Sequence, residues 1–251
     1  MKYSNYPRNH VIMPGREQAL DKFLNANLLL DGKVKKHKLE YACNSNSEDA
    51  LTWSCFDILR NLPHDSKIQA LDEIMEDAFS EDSHFQRFTF ADEKNIIIHI
   101  GKWYSTKDLP NRESTEVDAS IETDSKLIFI EAKLYNVISL PDEQHPYDQI
   151  IRKMRIGLNN AANRSKNAKT VDFYFILLDI APIDYMLKYG DKSITAKIFS
   201  SYKGNTDLLN KELQGISYTQ SLDDIAHNMG WLTWSCLFKT VLRAVIFNYN
   251  E

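Results

Sequence analysis

Residues 115–135 read TEVDASIETDSKLIFIEAKLY. The run from Leu127 to Ile130 is apolar on both alternating faces, as in a strand buried from two sides. Asp124 and Ser125 supply a turn just before it, so the segment predicts a hairpin. Glu116 and Asp118 lie on the incoming strand, and Glu131 and Lys133 follow the apolar run. Three acids and a lysine therefore gather at one end of a buried hairpin.

Pairing the hairpin sharpens this. With Asp124 and Ser125 as the loop, Thr123 faces Lys126, Asp118 faces Glu131, and Glu116 faces Lys133. Residues two apart on a strand share a face, so all four side chains project the same way, and a one-residue slip would break the set. Two carboxylates directly across a ladder repel each other. Burial beside an apolar strand makes this worse unless a cation or a proton joins them. Mg²⁺ suits such a place, because it takes one or two carboxylates, keeps several waters and accepts phosphate oxygens. A metal there acidifies a water and acts as a Lewis acid on a phosphoryl group. Lys133 beside it can position or help deprotonate that water and offset charge on a pentacovalent phosphate. Phosphodiester hydrolysis needs these pieces and no organic cofactor. A polar strand end with a surface ion pair accounts for most isolated matches to D…ExK. Here the order strand, tight turn, apolar strand, E-A-K narrows the choice.

Outward from the hairpin, residues 16–40 predict a helix with a basic turn around Asp31-Gly32-Lys33. SNSEDALTWSCFDILRNLP predicts a second helix, stopped by Pro63. DSKIQALDEIMEDAFS is amphipathic, with Ile68, Leu71, Ile74, Met75 and Phe79 on one stripe, and KNIIIHIGKWY reads as a strand. DEQHPYDQIIRKMRIGLNNAANRSK predicts a helix with Pro146 in or before its first turn. KTVDFYFILLDIAP is the strongest strand, ended by Pro182. Beyond it the pattern suggests short strands at SITAKIF and GISYT and a helix from about Leu232 to Phe247. The pentapeptide LTWSC occurs at 51–55 and 232–236 without any repeat period, and reads as two similarly packed helix segments. His99, Trp53 and Trp234 read as packed residues, and His145 as a weak candidate base.

Bulk composition adds limits. A chain of 251 residues can bury a sizeable core as a single domain over 1–251. No apolar run reaches membrane-spanning length, and MKYSNYPRNHVIMPGREQ lacks a secretory apolar region. A cytoplasmic chain with no membrane partner is expected. Cys43, Cys55 and Cys236 are too scattered for disulfides or a zinc site. The net charge of −5 gives no global support for a polyanion partner. Local basic runs do exist, at Lys33, Lys35, Lys36 and Lys38, and at Arg152, Lys153, Arg155, Arg164, Lys166 and Lys169.

EVDAS followed by LIFIEAK, in the order helix, strand, hairpin, helix, strand, resembles the PD-(D/E)xK nuclease superfamily over roughly residues 45–180. The resemblance implies an α/β, restriction-endonuclease-like core: a mixed central β-sheet flanked by helices in the order αβββαβ, with N-terminal helical and C-terminal α/β extensions. It implies Asp118 and Glu131 as metal ligands, the carbonyl of Ala132 completing the shell, and Lys133 as the catalytic lysine. Mg²⁺, with Mn²⁺ as a substitute, would serve an endonuclease acting on DNA in restriction, defence or repair. The family's proline before the first aspartate is Val117 here. Glu48 stands where such nucleases carry an acid on the helix before the sheet. SNSE also has the form of a capping box, Ser45-x-x-Glu48, and both readings stand. Gln149, with Lys153 one turn on along the same face, falls where the family approaches its substrate, and Arg152 and Arg155 are weaker phosphate contacts. Glu116 would hold Lys133 or add a ligand. Double-strand cutting often takes two active sites, so a homodimer is compatible with this reading. The competing reading is an inactive nuclease-fold module that binds nucleic acid or a protein partner.

Overall fold

The structure, a computed structural model, describes residues 9–26, 28–30, 33–35, 38, 47–106, 112–165, 170–189 and 193–248. Along the chain run α1 (Glu17–Leu24), the strand pair β1 (Leu28–Leu30) and β2 (Lys33–Lys35), α2 (Glu48–Asn61), α3 (His64–Ala78), β3 (Ile97–Ser105), β4 (Ser114–Glu122) and β5 (Lys126–Ala132). There follow α4 (Gln149–Ser165), β6 (Asp172–Asp179), α5 (Ile183–Tyr189), α6 (Ser193–Tyr202), α7 (Thr206–Glu212), α8 (Leu222–His227), β7 (Met229–Thr233) and α9 (Trp234–Asn248).

Strands β3 to β7 form one mixed sheet in sequence order. The first three are an antiparallel meander, and β6 and β7 continue it in parallel from β5. Parallel strands need cover on both faces, and the alternation of β5 and β6 supplies two cores. Ile128, Ile130, Ala132, Tyr174, Ile176 and Leu178 meet α2, α3 and α9. Leu127, Phe129, Phe173, Phe175 and Leu177 meet α4 and α6. Helix α4 lies close because Gly157 faces Phe173, whose ring overlaps the place a β-carbon would take.

The expected hairpin register is present. Thr123 N–H donates to the Lys126 carbonyl at 2.9 Å, and Glu122 pairs with Leu127 and Ala119 with Ile130. The β4–β5 ladder ends at that last pair. On the other side of β4, the β3 ladder passes from Ile100–Ala119 to Lys102–Val117 without a Gly101–Asp118 pair. Gly101 has φ of 62° there, a backbone state open to glycine. The buried side chains change faces around this gap: Ile98 and Ala119 join the α2 core, Tyr104 and Val117 the α4 core. Asp118 thus sits at a twist, unpaired in either ladder.

Several sequence expectations are corrected. The first helix ends at Leu24, where Asn25 turns its side-chain amide onto the Asp21 carbonyl at 3.0 Å. A short strand pair follows where the helix was expected to continue. SITAKIF is helical (α6), because Ala196, Phe199 and Tyr202 are buried at helical spacing despite the β-branched residues between them. GISYT forms no strand, whereas Met229–Thr233 does. The second LTWSC is consequently split: Leu232 and Thr233 end β7 and Trp234 starts α9, while the first lies wholly in α2. Cys43, Ser45, Lys36, Lys166 and Lys169 lie outside the described residues. Among the described residues no helix is long and apolar enough to cross a membrane.

Candidate functional site

Four elements converge where the hairpin ladder ends. Glu131, the penultimate residue of β5, is 1% exposed. Its Oε1 accepts from Lys133 Nζ at 2.7 Å and from Gln149 Nε2 at 2.5 Å. Its Oε2 is met by Lys153 Nζ, which also donates to the Glu116 carbonyl at 2.7 Å. Asp118 reaches across the opening with Oδ2 on the Ala132 N–H at 2.8 Å. Glu48 comes from the start of α2: Oε2 accepts from the Leu134 N–H at 3.1 Å, and Oε1 is 3.8 Å from Lys133 Nζ.

The cap of α2 is Ser47, whose hydroxyl accepts from the Ala50 N–H at 3.3 Å. Glu48 therefore stands at the first helical position, two residues too early to close a box back to that cap. Its carboxylate is directed to the hairpin end. Helix α4 is capped by Asp148, whose Oδ1 accepts from the N–H groups of Ile150 and Ile151 at 2.9 and 3.0 Å. That start fixes Gln149, which also receives the Ser139 N–H on Oε1 at 3.1 Å.

The electrostatics are uneven. Burial, together with the Glu131 charge, pushes the Asp118 carboxyl up to about 7 against the pull of Lys153, Lys133 and Lys38. Burial also opposes charge on Glu131, but Lys133 and Lys153 outweigh it and bring this carboxyl down to about 2. Burial raises Glu48 as well, with Lys133 opposing. Lys133 itself is driven above the ordinary lysine range: burial works against its charge, yet Glu131, Asp118 and Glu48 prevail.

Other expected residues have different surroundings. Glu116 pairs with Trp103 on β3 rather than across from Lys133, because β4 and β5 have already parted. Its carboxylate meets Lys38 Nζ at 3.0 Å, and Lys38 also binds Asp49 at 2.6 Å. Arg155 is buried against Glu113 and the carbonyls of Glu212 and Gln214. Arg152 reaches Ser139 Oγ at 2.8 Å. His145 is exposed beside Asp142, and His99 is half-buried near Glu122. Trp53 is core. Trp234, expected only to pack, donates from Nε1 to the Lys133 carbonyl at 2.8 Å. Nothing local in the sequence marks that contact, or Lys38, as part of the site.

Among the described residues no three His, Cys, Asp or Glu side chains form a ready cage for a metal. The acids are interleaved with the ammonium groups of Lys133 and Lys153 instead. Asp118 is the member whose charge these cations leave undercompensated, and hard carboxylate oxygens from three elements are the donor type that Mg²⁺ takes. No family model, curated protein or solved structure matches this chain.

Proposed function

We propose that the chain is a divalent-metal-dependent nuclease of the PD-(D/E)xK type, with a restriction-endonuclease-like core, that hydrolyses phosphodiester bonds in DNA. The observation that carries this reading is the convergence of Glu48, Asp118, Glu131 and Lys133 at the parted end of the β4–β5 hairpin. Asp118, Glu131 and Glu48 would hold Mg²⁺ or Mn²⁺, with the Ala132 carbonyl adjacent. When bound, the metal supplies an acidified water and Lewis-acid polarisation of the phosphate.

The side chains have separable tasks. Lys133 is kept protonated by the acids around it, so it acts as a fixed positive charge that orients water and offsets charge developing on phosphate oxygens. Gln149 fixes the rotation of the Glu131 carboxylate through Nε2 while Ser139 N–H fixes the amide itself. Glu48, tied to the Leu134 N–H, holds the segment that follows β5 against α2.

Plasmid nicking with Mg²⁺ tests the reading. Wild type should cut, and Asp118→Ala and Lys133→Ala should not; equal activity in all three sinks it. The second reading, an inactive nuclease-fold module, is favoured by one observation: Glu131 already has a cation on each oxygen. Mn²⁺ titration separates the two, since an inactive module need not bind metal at the hairpin.

A further inference from the structure

Beside the hairpin end lies a groove of about 530 Å³ between α1, α2 and β3. Its walls carry Arg16, Lys22, Lys38 and Arg60, and Trp103 stands on its rim from the edge strand β3, 47% exposed. Glu116 and Gly101 also line it, and Glu116 lies two residues before Asp118 on β4, at the point where the β3–β4 ladder skips a pair. We propose that this groove binds an unpaired nucleic-acid strand, with Trp103 stacking on a base and Arg16, Lys22 and Arg60 following the phosphates. The proposal rests on the nuclease reading only for its sense, since it names which form of substrate reaches that site.

The groove combines the two features that sequence-tolerant single-strand binding uses: a positive channel and an aromatic face for bases. One acid, Asp57, sits beneath the two arginines, while Glu116 lines the groove beside Lys38. Asp57, 1% exposed, anchors both guanidinium groups, with Arg16 Nη2 at 2.9 Å. Lys38 is anchored by Asp49 and Glu116 and lies 5.7 Å from the Phe23 ring centre. These anchors hold the cations in place before a ligand arrives, which lowers the ordering cost of binding. Bases inside a duplex are stacked on one another and present no face to Trp103, so the aromatic contact selects unpaired strand.

Fluorescence anisotropy of the full chain in EDTA tests this without any chemistry. The probes are a labelled oligothymidylate of about 12 nucleotides and a labelled duplex of the same length. Trp103→Ala should weaken single-strand binding by about tenfold or more, Trp103→Phe should retain most of it, and neither should alter duplex binding. Lys22→Glu should weaken single-strand binding and flatten its salt dependence. Wild-type single-strand affinity in Trp103→Ala, equal losses for both probes, or no single-strand binding by wild type each overturns the proposal. Loss of plasmid nicking in Asp118→Ala is read separately, so failure of the groove leaves the nuclease reading standing, and the converse.

Discussion

The ammonium of Lys153 rests against one carboxylate oxygen of Glu131, and both side chains are almost wholly buried. Lys133 holds the other oxygen at 2.7 Å. A carboxylate placed between two cations is electrostatically complete, so a divalent ion joins it by displacing an ammonium or sharing with it. Lys153→Met removes one competitor and leaves Glu131 short of charge. In EDTA this variant should lose about 3–5 kcal/mol of stability, the usual cost of breaking a buried pair on one side. Mn²⁺ should restore a larger part of its melting temperature than it adds to wild type. An equal Mn²⁺ response in the two proteins would show that Lys153 and the metal do not compete.

Asp118 sets a pH dependence whose sign is fixed. Its carboxyl is pushed up to about 7 in the fold from an ordinary 3.8. The folded chain therefore keeps this proton over a range in which the unfolded chain has lost it. The contribution to stability is full below about pH 4 and is lost as pH rises toward 7. Metal needs the anion, so stabilisation by Mn²⁺ should be small near pH 5.5, climb through about 7 and level off above about 8. Thermal melts across that range check it, and Asp118→Asn should abolish the climb.

Lys133→Gln separates charge stabilisation from metal holding. Cleavage of supercoiled plasmid should fall by about a hundredfold or more, the scale set by removing one preorganised charge contact. Mn²⁺ binding measured by calorimetry should persist, because an ammonium is not a ligand. Cleavage at the wild-type rate would rule out a catalytic role for this lysine.

Gly157→Ala tests how α4 positions its side chains. The added methyl meets the Phe173 ring, and overpacking of this kind typically costs about 1–3 kcal/mol. Since α4 carries Gln149 and Lys153 onto Glu131, the variant should also shift Mn²⁺ affinity. Urea unfolding and metal titration on one sample measure both effects, and a change in stability alone would mean that the helix tilts without moving its first turn.

The parts of the molecule that were legible in the sequence are those governed by local pattern. The apolar runs at 127–130 and 171–178 and the turn at Asp124-Ser125 are local signals, and the hairpin register followed from the turn. What was hidden depends on distant partners. α6 reads as a strand because Ile194, Thr195 and Ile198 are β-branched, and only the burial of Phe199 and Tyr202 in the α4-side core, with Ala196 buried on the same stripe, makes it a helix. LTWSC shows the same point, since one pentapeptide takes two structures in two surroundings. In the site, the hairpin acids were readable from spacing. Lys38, the Trp234 indole and the burial of Lys153 were not, because each joins the hairpin from a different part of the chain.

The backbone of Lys133 is held from both sides: its N–H donates to the Leu178 carbonyl at 2.7 Å, and its own carbonyl receives the Trp234 indole from 101 residues further along the chain. Contacts of such separation form late in folding, and during synthesis the N-terminal part emerges first. The hairpin can therefore be made, and its acids exposed, well before the residue that fixes the lysine has left the ribosome. A nascent chain that has not yet reached Trp234 lacks the contact on the Lys133 carbonyl, so the backbone of this lysine is held from both sides only after β6 and the start of α9 have been made.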